Sequence, residues 1–449
     1  METISSKTIP GVNTWEALRG LRRAGFLNYI GELWQQYGDV FQIKIVNRHM
    51  VVAIHPEAVR HVNVANRQNY DKLQSYDLVR KFMTGNGLVS SNGDLWRRQR
   101  KLMSPFYTPK GVQAYGEIML NDGHRLLERW SNMNGNSVHM GEEMTFVTAA
   151  IILRAMFSME TDEAIIGMKS AVETMIGYTG TSQAGIMIPL WIPTRANREY
   201  GKARTKVHTY IHSVIEQRRA LPETDWPNDL LTRLMQARDE ETGEPMSENL
   251  LRDESVTTFF AGHETTARTM TFTWYALARN PMVAEKLHAE LDAVLGDRTP
   301  TLDDLHRLPY TLQVIKEVLR LYPPAPFYIR DAIAEDKLGD YNTGGLSVLM
   351  SPYYTHRHPD FWEDPLEFNP DRWTSEQEAK MHPYAYHPFA AGQRICIGNN
   401  FSLLESHILL ALLARAYAPR LAPGFTPKFV MAGTLGTSNG FPMIIERRF

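Results

Sequence analysis

The feature that most constrains this fold is one unbroken helical stretch, from Ser247 to Asn280-Pro281. Ser247 suits the N-cap, where its hydroxyl accepts an early backbone N–H. Pro281 ends the stretch, because the residue before a proline is pushed out of the α region. At 1.5 Å per residue such a helix runs roughly 50 Å, long enough to cross a domain of this size.

Two further helices have clear limits. One runs from about Pro309 to Tyr322, is stopped by Pro323-Pro324, and shows an apolar stripe of Leu312, Ile315, Leu319 and Tyr322. The other begins just after Gly398, with Phe401, Leu404, Ile408 and Leu412 on one face. Strand-like alternation is confined to Asp39–Ile54, where two β-rich runs flank Asn47-Arg48-His49, and to the last thirty residues. There is no repeat, low-complexity tract or flexible linker; Arg219–Asn228 reads as an inter-helix loop. The expected class is mainly α with a smaller β portion, in a single large domain over residues 1–449. The length allows up to three domains only as a prior.

With 48 basic and 50 acidic side chains the net charge is −2, which gives no broad electrostatic reason to bind nucleic acid or an anionic membrane. The N-terminus lacks a signal-peptide core, and no window approaches the roughly 20 apolar residues of a membrane span. The longest apolar candidate, Ile186–Pro193, carries two prolines and reads as a buried loop or core segment. The expectation is a soluble, cytoplasmic protein without a membrane anchor.

Three catalytic patterns fail on context. Gly436-Thr437-Ser438-Asn439-Gly440 fits the G-x-S-x-G nucleophile elbow, yet only nine residues follow, with no histidine or aspartate, so a Gly-rich hairpin tip is the better reading. His263-Glu264 begins the zinc-protease H-E-x-x-H, but the second histidine position holds Ala267. Gly85-Asn86-Gly87 begins a dinucleotide G-x-G, but Ser90 stands where the third glycine belongs.

Cys396 is the only cysteine, which forbids an internal disulfide, a multi-cysteine zinc site and a four-thiolate cluster. It lies between Gly392 and Gly398, just before a helix, whose N-terminal N–H groups and partial positive charge favour a thiolate. A lone thiolate suits a nucleophile or the single protein ligand of a cofactor that brings its other donors, such as haem. The bland alternative is a buried cysteine acting as a small hydrophobe. The surrounding Phe389-x-x-Gly392-x-Arg394-x-Cys396-x-Gly398 resembles the haem-thiolate signature of the cytochrome P-450 family, with every fixed position filled.

Further motifs fit that resemblance along essentially the whole chain. Glu317-Val318-Leu319-Arg320 matches the family's E-x-x-R, whose ends are neighbours on a helix. Glu216-Gln217-Arg218-Arg219 also fits, but reads as a solvated face. The resemblance implies that Arg372, in Phe368-Asn-Pro-Asp-Arg372-Trp, joins Glu317 and Arg320 in a buried ionic network. Ala261-Gly262-His263-Glu264-Thr265-Thr266 breaks helix propensity inside the long helix, as functional sites do. Its bland reading pairs Glu264 with Arg268 and lets the threonines bond back to carbonyls. The resemblance makes it the oxygen-activation motif, with Glu264 as acid and Thr265 as hydroxyl relay. Trp96 and Arg100 match the family's W-x-x-x-R helix; Arg100 and Arg394, with Arg330 as a further candidate, are expected to pair with haem propionates. Arg97, Arg98 and Lys101 read either as a solvated basic face or as a docking patch for an acidic redox protein.

The resemblance thus implies a cytochrome P-450 fold with haem b between the long helix and the cysteine-loop helix, Cys396 being the axial thiolate. The implied activity is a monooxygenase that inserts one atom of O2 into a lipophilic substrate, such as a fatty acid or terpenoid. Electrons are expected from a separate donor fed by NAD(P)H: ferredoxin or flavodoxin with its reductase, or a flavoprotein reductase. The pocket is expected to draw on Tyr70–Leu88, Thr161–Tyr200, Ala261, Ala325–Ile329 and Thr437–Phe441, with Phe327, Ile329, Leu435 and Phe441 making it apolar. Two other classes stay open: a peroxide-driven or non-oxygenating haem-thiolate enzyme, and a haem gas sensor or electron carrier.

Overall fold

The computed structural model describes residues 7–46, 48–182 and 189–448. The chain is predominantly helical with small sheets. Five helices position the residues of interest: α1 (Gly93–Met103), α2 (Arg195–Arg219), α3 (Glu248–Arg279), α4 (Pro309–Leu321) and α5 (Asn399–Ala416). The chain divides into two compact units. The first comprises Met1–Ser75, Gln313–Cys396 and Pro427–Asn439; the second Tyr76–Leu312, Ile397–Thr426 and Gly440–Phe449.

The first unit is built on a six-stranded sheet of β1 (Gly11–Val12), β2 (Val40–Ile45), β3 (Arg48–Ala53), β4 (Tyr70–Asp71), β5 (Tyr328–Ala332) and β6 (Ser347–Met350). Its spatial order is β1-β2-β3-β6-β5-β4. The early strand pair is the expected antiparallel one, but Arg48 and His49 belong to the second strand, paired with Ile45 and Lys44, and Asn47 lies outside the described residues. Val51, Val59, Val62, Val348 and Met350 pack beneath the sheet as one buried cluster. In the same unit Phe429–Ala432 and Thr434–Thr437 form a hairpin turning at Gly433 (φ 84°). Gly436 therefore sits inside a strand, not at the tip, and the hydrolase pattern has no elbow.

The second unit is helical around α3, whose limits are those set by Ser247 and Pro281. Ser247 Oγ accepts from Leu250 N at 3.4 Å and Asn280 is the C-cap. The helix tolerates its threonines because their hydroxyls bond back one turn: Thr265 to Ala261 O at 2.8 Å, Thr271 to Ala267 O at 2.7 Å, Thr273 to Thr269 O at 2.8 Å. Gly262 has a packing reason too, since a Cβ there would stand 3.1 Å from Ile152 on the neighbouring helix Met140–Phe157. That helix also donates Thr148 Oγ1 to His263 O at 2.8 Å.

Two sequence expectations need correction here. Arg218 is not on a solvated face: it is buried and both terminal guanidinium nitrogens donate to Asp229, Nη2 at 2.7 Å, while its neighbours Glu216 and Arg219 do form an exposed pair. In Ile186–Pro193, residues 186–188 lie outside the described residues, and Leu190 and Trp191 are exposed rather than buried. Asn197 Nδ2 holds the carbonyls of Pro189 and Ile192 in a short turn that points these side chains outward. Among the described residues no single helix is long and apolar enough to cross a membrane.

Candidate active site

The cysteine loop belongs to the first unit and is closed on itself. Cys396 N donates to Phe389 O at 2.8 Å and Ile395 N to Gly392 O at 3.1 Å. Gly392 is required here, with φ 66° and the Asn63 carbonyl so near that a Cβ would overlap it. Gly398, the N-cap residue of α5, has an ordinary φ of −86°. The loop holds Cys396 exposed, so the thiol is presented rather than packed away as a small hydrophobe.

Behind the loop lies the expected ionic network. Glu317 and Arg320 are both fully buried; Arg320 Nε and Nη2 each meet one carboxylate oxygen at 2.8 Å. The remaining guanidinium donors go to the carbonyls of His356, Pro365 and Glu367 at 2.7–2.9 Å. Arg372 joins as an ion pair, its Nε 3.5 Å from Glu317 Oε1. Two partners escaped the sequence reading: Trp373 Nε1 donates to Glu317 Oε2 at 3.0 Å, and Asn369 N to Oε1 at 2.9 Å.

The network reaches the loop through two histidines that no motif marks. His356 Nε2 accepts the backbone N–H of His387 at 2.9 Å, and His356 Nδ1 lies 3.1 Å from Arg320 O. A ring that accepts on Nε2 and donates from Nδ1 must be neutral. Burial and the neighbouring His387 hold its pKa well below the usual histidine range, in agreement. His387 O then accepts Ala390 N at 3.0 Å, inside the cysteine loop.

Cations gather on the same side. Arg330 and Arg394 are buried, and Arg394 is paired with Asp71. Next to Asp71, Lys72 has its pKa held well below the usual lysine range by burial, then by Arg330 and Arg394; Cys396 and Asp71 act the other way. Arg330 and Arg394, with Lys72 beside them, bring guanidinium and amine donors together, which suits a ligand carrying carboxylates. Lys72 lies in a polar segment with no periodic signal, so sequence patterning could not single it out.

The candidates on α3 and α1 lie in the second unit. Ala261, Glu264 and Thr265 are all partly accessible on α3. Glu264 Oε1 lies 3.3 Å from Arg268 Nη2 and Thr265 Oγ1 donates to Ala261 O, so the bland local contacts are made. His263 is buried and stacked on Phe259, with ring centroids 4.7 Å apart. On α1, Trp96 is buried and Arg100 half-buried one turn later. Arg98 meets Asp239 at 2.8 Å and Lys101 meets Glu240 at 2.9 Å, while Arg97 pairs with Asp94. Phe441, in the second unit, is packed away against Phe272 and Tyr275; in the first unit Leu435 is buried and Phe327 lies edge-on to Phe26 at 5.1 Å. Ile329 and Ala261 keep accessible surface.

A presented thiol, a loop pinned by a buried carboxylate–guanidinium network and a cluster of basic side chains thus occur together in the first unit. Residues 8–441 match the family model Cytochrome P450. The chain is 33% identical to Cyclooctatin synthase of Streptomyces melanosporofaciens, over 90% of this chain and 89% of that one. It is 32% identical to Cyclooctat-9-en-7-ol 5-monooxygenase of the same organism, over 87% and 84%. The crystal structure of the cytochrome P450DA heme domain superposes with a TM-score of 0.90 at 27% identity, covering 99% of this chain and 98% of that one. The chain belongs to the cytochrome P450 family, whose members are haem-thiolate monooxygenases, and is therefore an oxidoreductase.

Proposed function

We propose that Cys396 is the axial ligand of a haem b, and that the chain over residues 1–449 works as one monooxygenase domain. The observation that carries this is the exposed Cys396 on a loop closed by Phe389, Gly392 and the His387–His356–Arg320 chain. Arg100, Arg330 and Arg394, with Lys72 added, would hold the propionates; Trp96 and Gly398 are further residues we assign to the cofactor. The donor set fits: one soft thiolate for iron and planar arginine forks for carboxylates. When bound, the haem supplies reduction of O2 and insertion of one oxygen atom into the substrate.

The chain's own groups do the rest. Glu264 acts as the acid, and Thr265 Oγ1, which now donates to Ala261 O, turns to pass that proton on. Ala261 and Ile329 keep the site dry and favour a lipophilic substrate, a fatty acid or a terpenoid. Members of the family take electrons from redox partners; here we propose ferredoxin or flavodoxin with its reductase, or a flavoprotein reductase, drawing on NAD(P)H. The test is turnover of a fatty-acid and terpenoid panel with a surrogate ferredoxin system under isotope-labelled O2. One labelled oxygen in the product is expected; an unlabelled product, or turnover with peroxide alone, would overturn the reading.

A further inference from the structure

Two adjacent acids on α3, Asp253 and Glu254, have no part in the chemistry proposed above. Both are buried, and Glu254 has no exposed surface at all. Each accepts one backbone N–H from the same loop: Asn86 N donates to Asp253 Oδ2 at 2.8 Å, and Leu88 N to Glu254 Oε2 at 3.0 Å. The glycines of Gly85-Asn86-Gly87 are explained by this contact. Gly85 has φ +52°, and a Cβ on it would collide with the Asp253 carboxylate. One on Gly87 would collide with the Thr257 hydroxyl and stand 2.7 Å from Asp253 O. The far side of the loop is tied down as well. Gln99 Nε2 donates to Asn86 O at 2.8 Å, Ser90 Oγ to Gly85 O at 2.7 Å, and Thr84 Oγ1 to Ser90 Oγ at 2.8 Å.

A buried carboxyl is a costly way to satisfy one N–H, and Glu254 Oε1 has no hydrogen-bond partner among the described residues. What the arrangement secures is position, two bonds two residues apart fixing the loop in register on the helix. We infer that Asp253 and Glu254 are positioning residues for substrate binding, clamping Gly85–Leu88 to α3 and so fixing the wall this loop gives the pocket. The inference rests on the proposed haem-thiolate reading, in which the segment ending at Leu88 lines that pocket.

The experiment uses the full-chain holoenzyme and two azole probes, each followed by its shift of the haem absorption band. Imidazole is small enough to need only the iron; clotrimazole needs the surrounding walls. Glu254→Leu should weaken clotrimazole about tenfold, the order expected for one lost buried hydrogen bond, and leave imidazole within about twofold. Glu254→Gln, whose amide oxygen still accepts from Leu88 N, should restore clotrimazole binding. Gly87→Ala keeps both carboxylates but lifts the loop, so it should reproduce the Glu254→Leu pattern and serves if that variant fails to fold. Unchanged clotrimazole binding in both variants, or equal loss of both probes, would overturn the clamp alone. No imidazole shift in the wild type would sink the haem-thiolate reading and the clamp with it.

Discussion

His356 accepts the backbone N–H of His387 on its Nε2, 2.9 Å away, and this bond joins the buried Glu317–Arg320 pair to the cysteine loop. It makes a neutral histidine the connection between an ionic network and the residue that network serves. His356→Phe would leave the His387 N–H and the Arg320 carbonyl without these partners, at about 1–3 kcal/mol for each buried group. We expect lower stability and a smaller fraction of thiolate-type carbon monoxide spectrum per haem. A full spectrum after mild denaturant stress would show that the bond does not support the loop.

Removing the thiol should separate chemistry from stability. Because Cys396 is exposed, Cys396→Ala should change the unfolding free energy of the haem-free protein by no more than about 0.5 kcal/mol, yet abolish the thiolate-type carbon monoxide band of the haem-loaded one. If the band persisted, Cys396 would not be the ligand.

Arg320 donates to both Glu317 oxygens and to three carbonyls, a geometry only a planar fork can fill. Arg320→Lys should therefore destabilise the protein by about 3–5 kcal/mol despite keeping the charge. Chemical denaturation measures this, and a loss under about 1 kcal/mol would refute it.

How much of this was legible beforehand varies with the range of the contact. The long helix was bounded by Ser247 and Pro281 because caps and prolines act on their immediate neighbours. Glu317 and Arg320 could be paired because three residues apart is next-door on a helix. Nothing local links His356 to His387, Asn63 to Gly392, or Arg218 to Asp229; folding brings each pair together. Periodicity placed Arg218 on a helix, but which tertiary acid would meet it leaves no mark along the chain.

Glu254 gives a prediction with a definite sign. Burial, reinforced by the adjacent Asp253, raises its pKa from 4.5 to about 8 against the opposing bond from Leu88 N. Below pH 4.5 the group is neutral whether the chain is folded or not. From there to about pH 8 the unfolded chain ionises while the folded one stays protonated, so stability falls as pH rises. Glu254→Gln lacks this loss, and its stability relative to wild type should improve by on the order of a few kcal/mol from pH 5 to 8. Paired melting curves across that range decide it; parallel curves would mean an ordinary carboxyl.

Thr265→Ala should keep haem and fold but pass reducing equivalents to peroxide instead of product. The ratio of product formed to NAD(P)H consumed is the measurement, and an unchanged ratio would remove Thr265 from the relay.

Arg98 and Lys101 on α1 are already engaged by Asp239 and Glu240. An acidic protein approaching this stretch meets closed pairs, with little long-range pull to screen. Its rate of encounter here should therefore vary only weakly with ionic strength, and recognition has to come from fitted contact after collision.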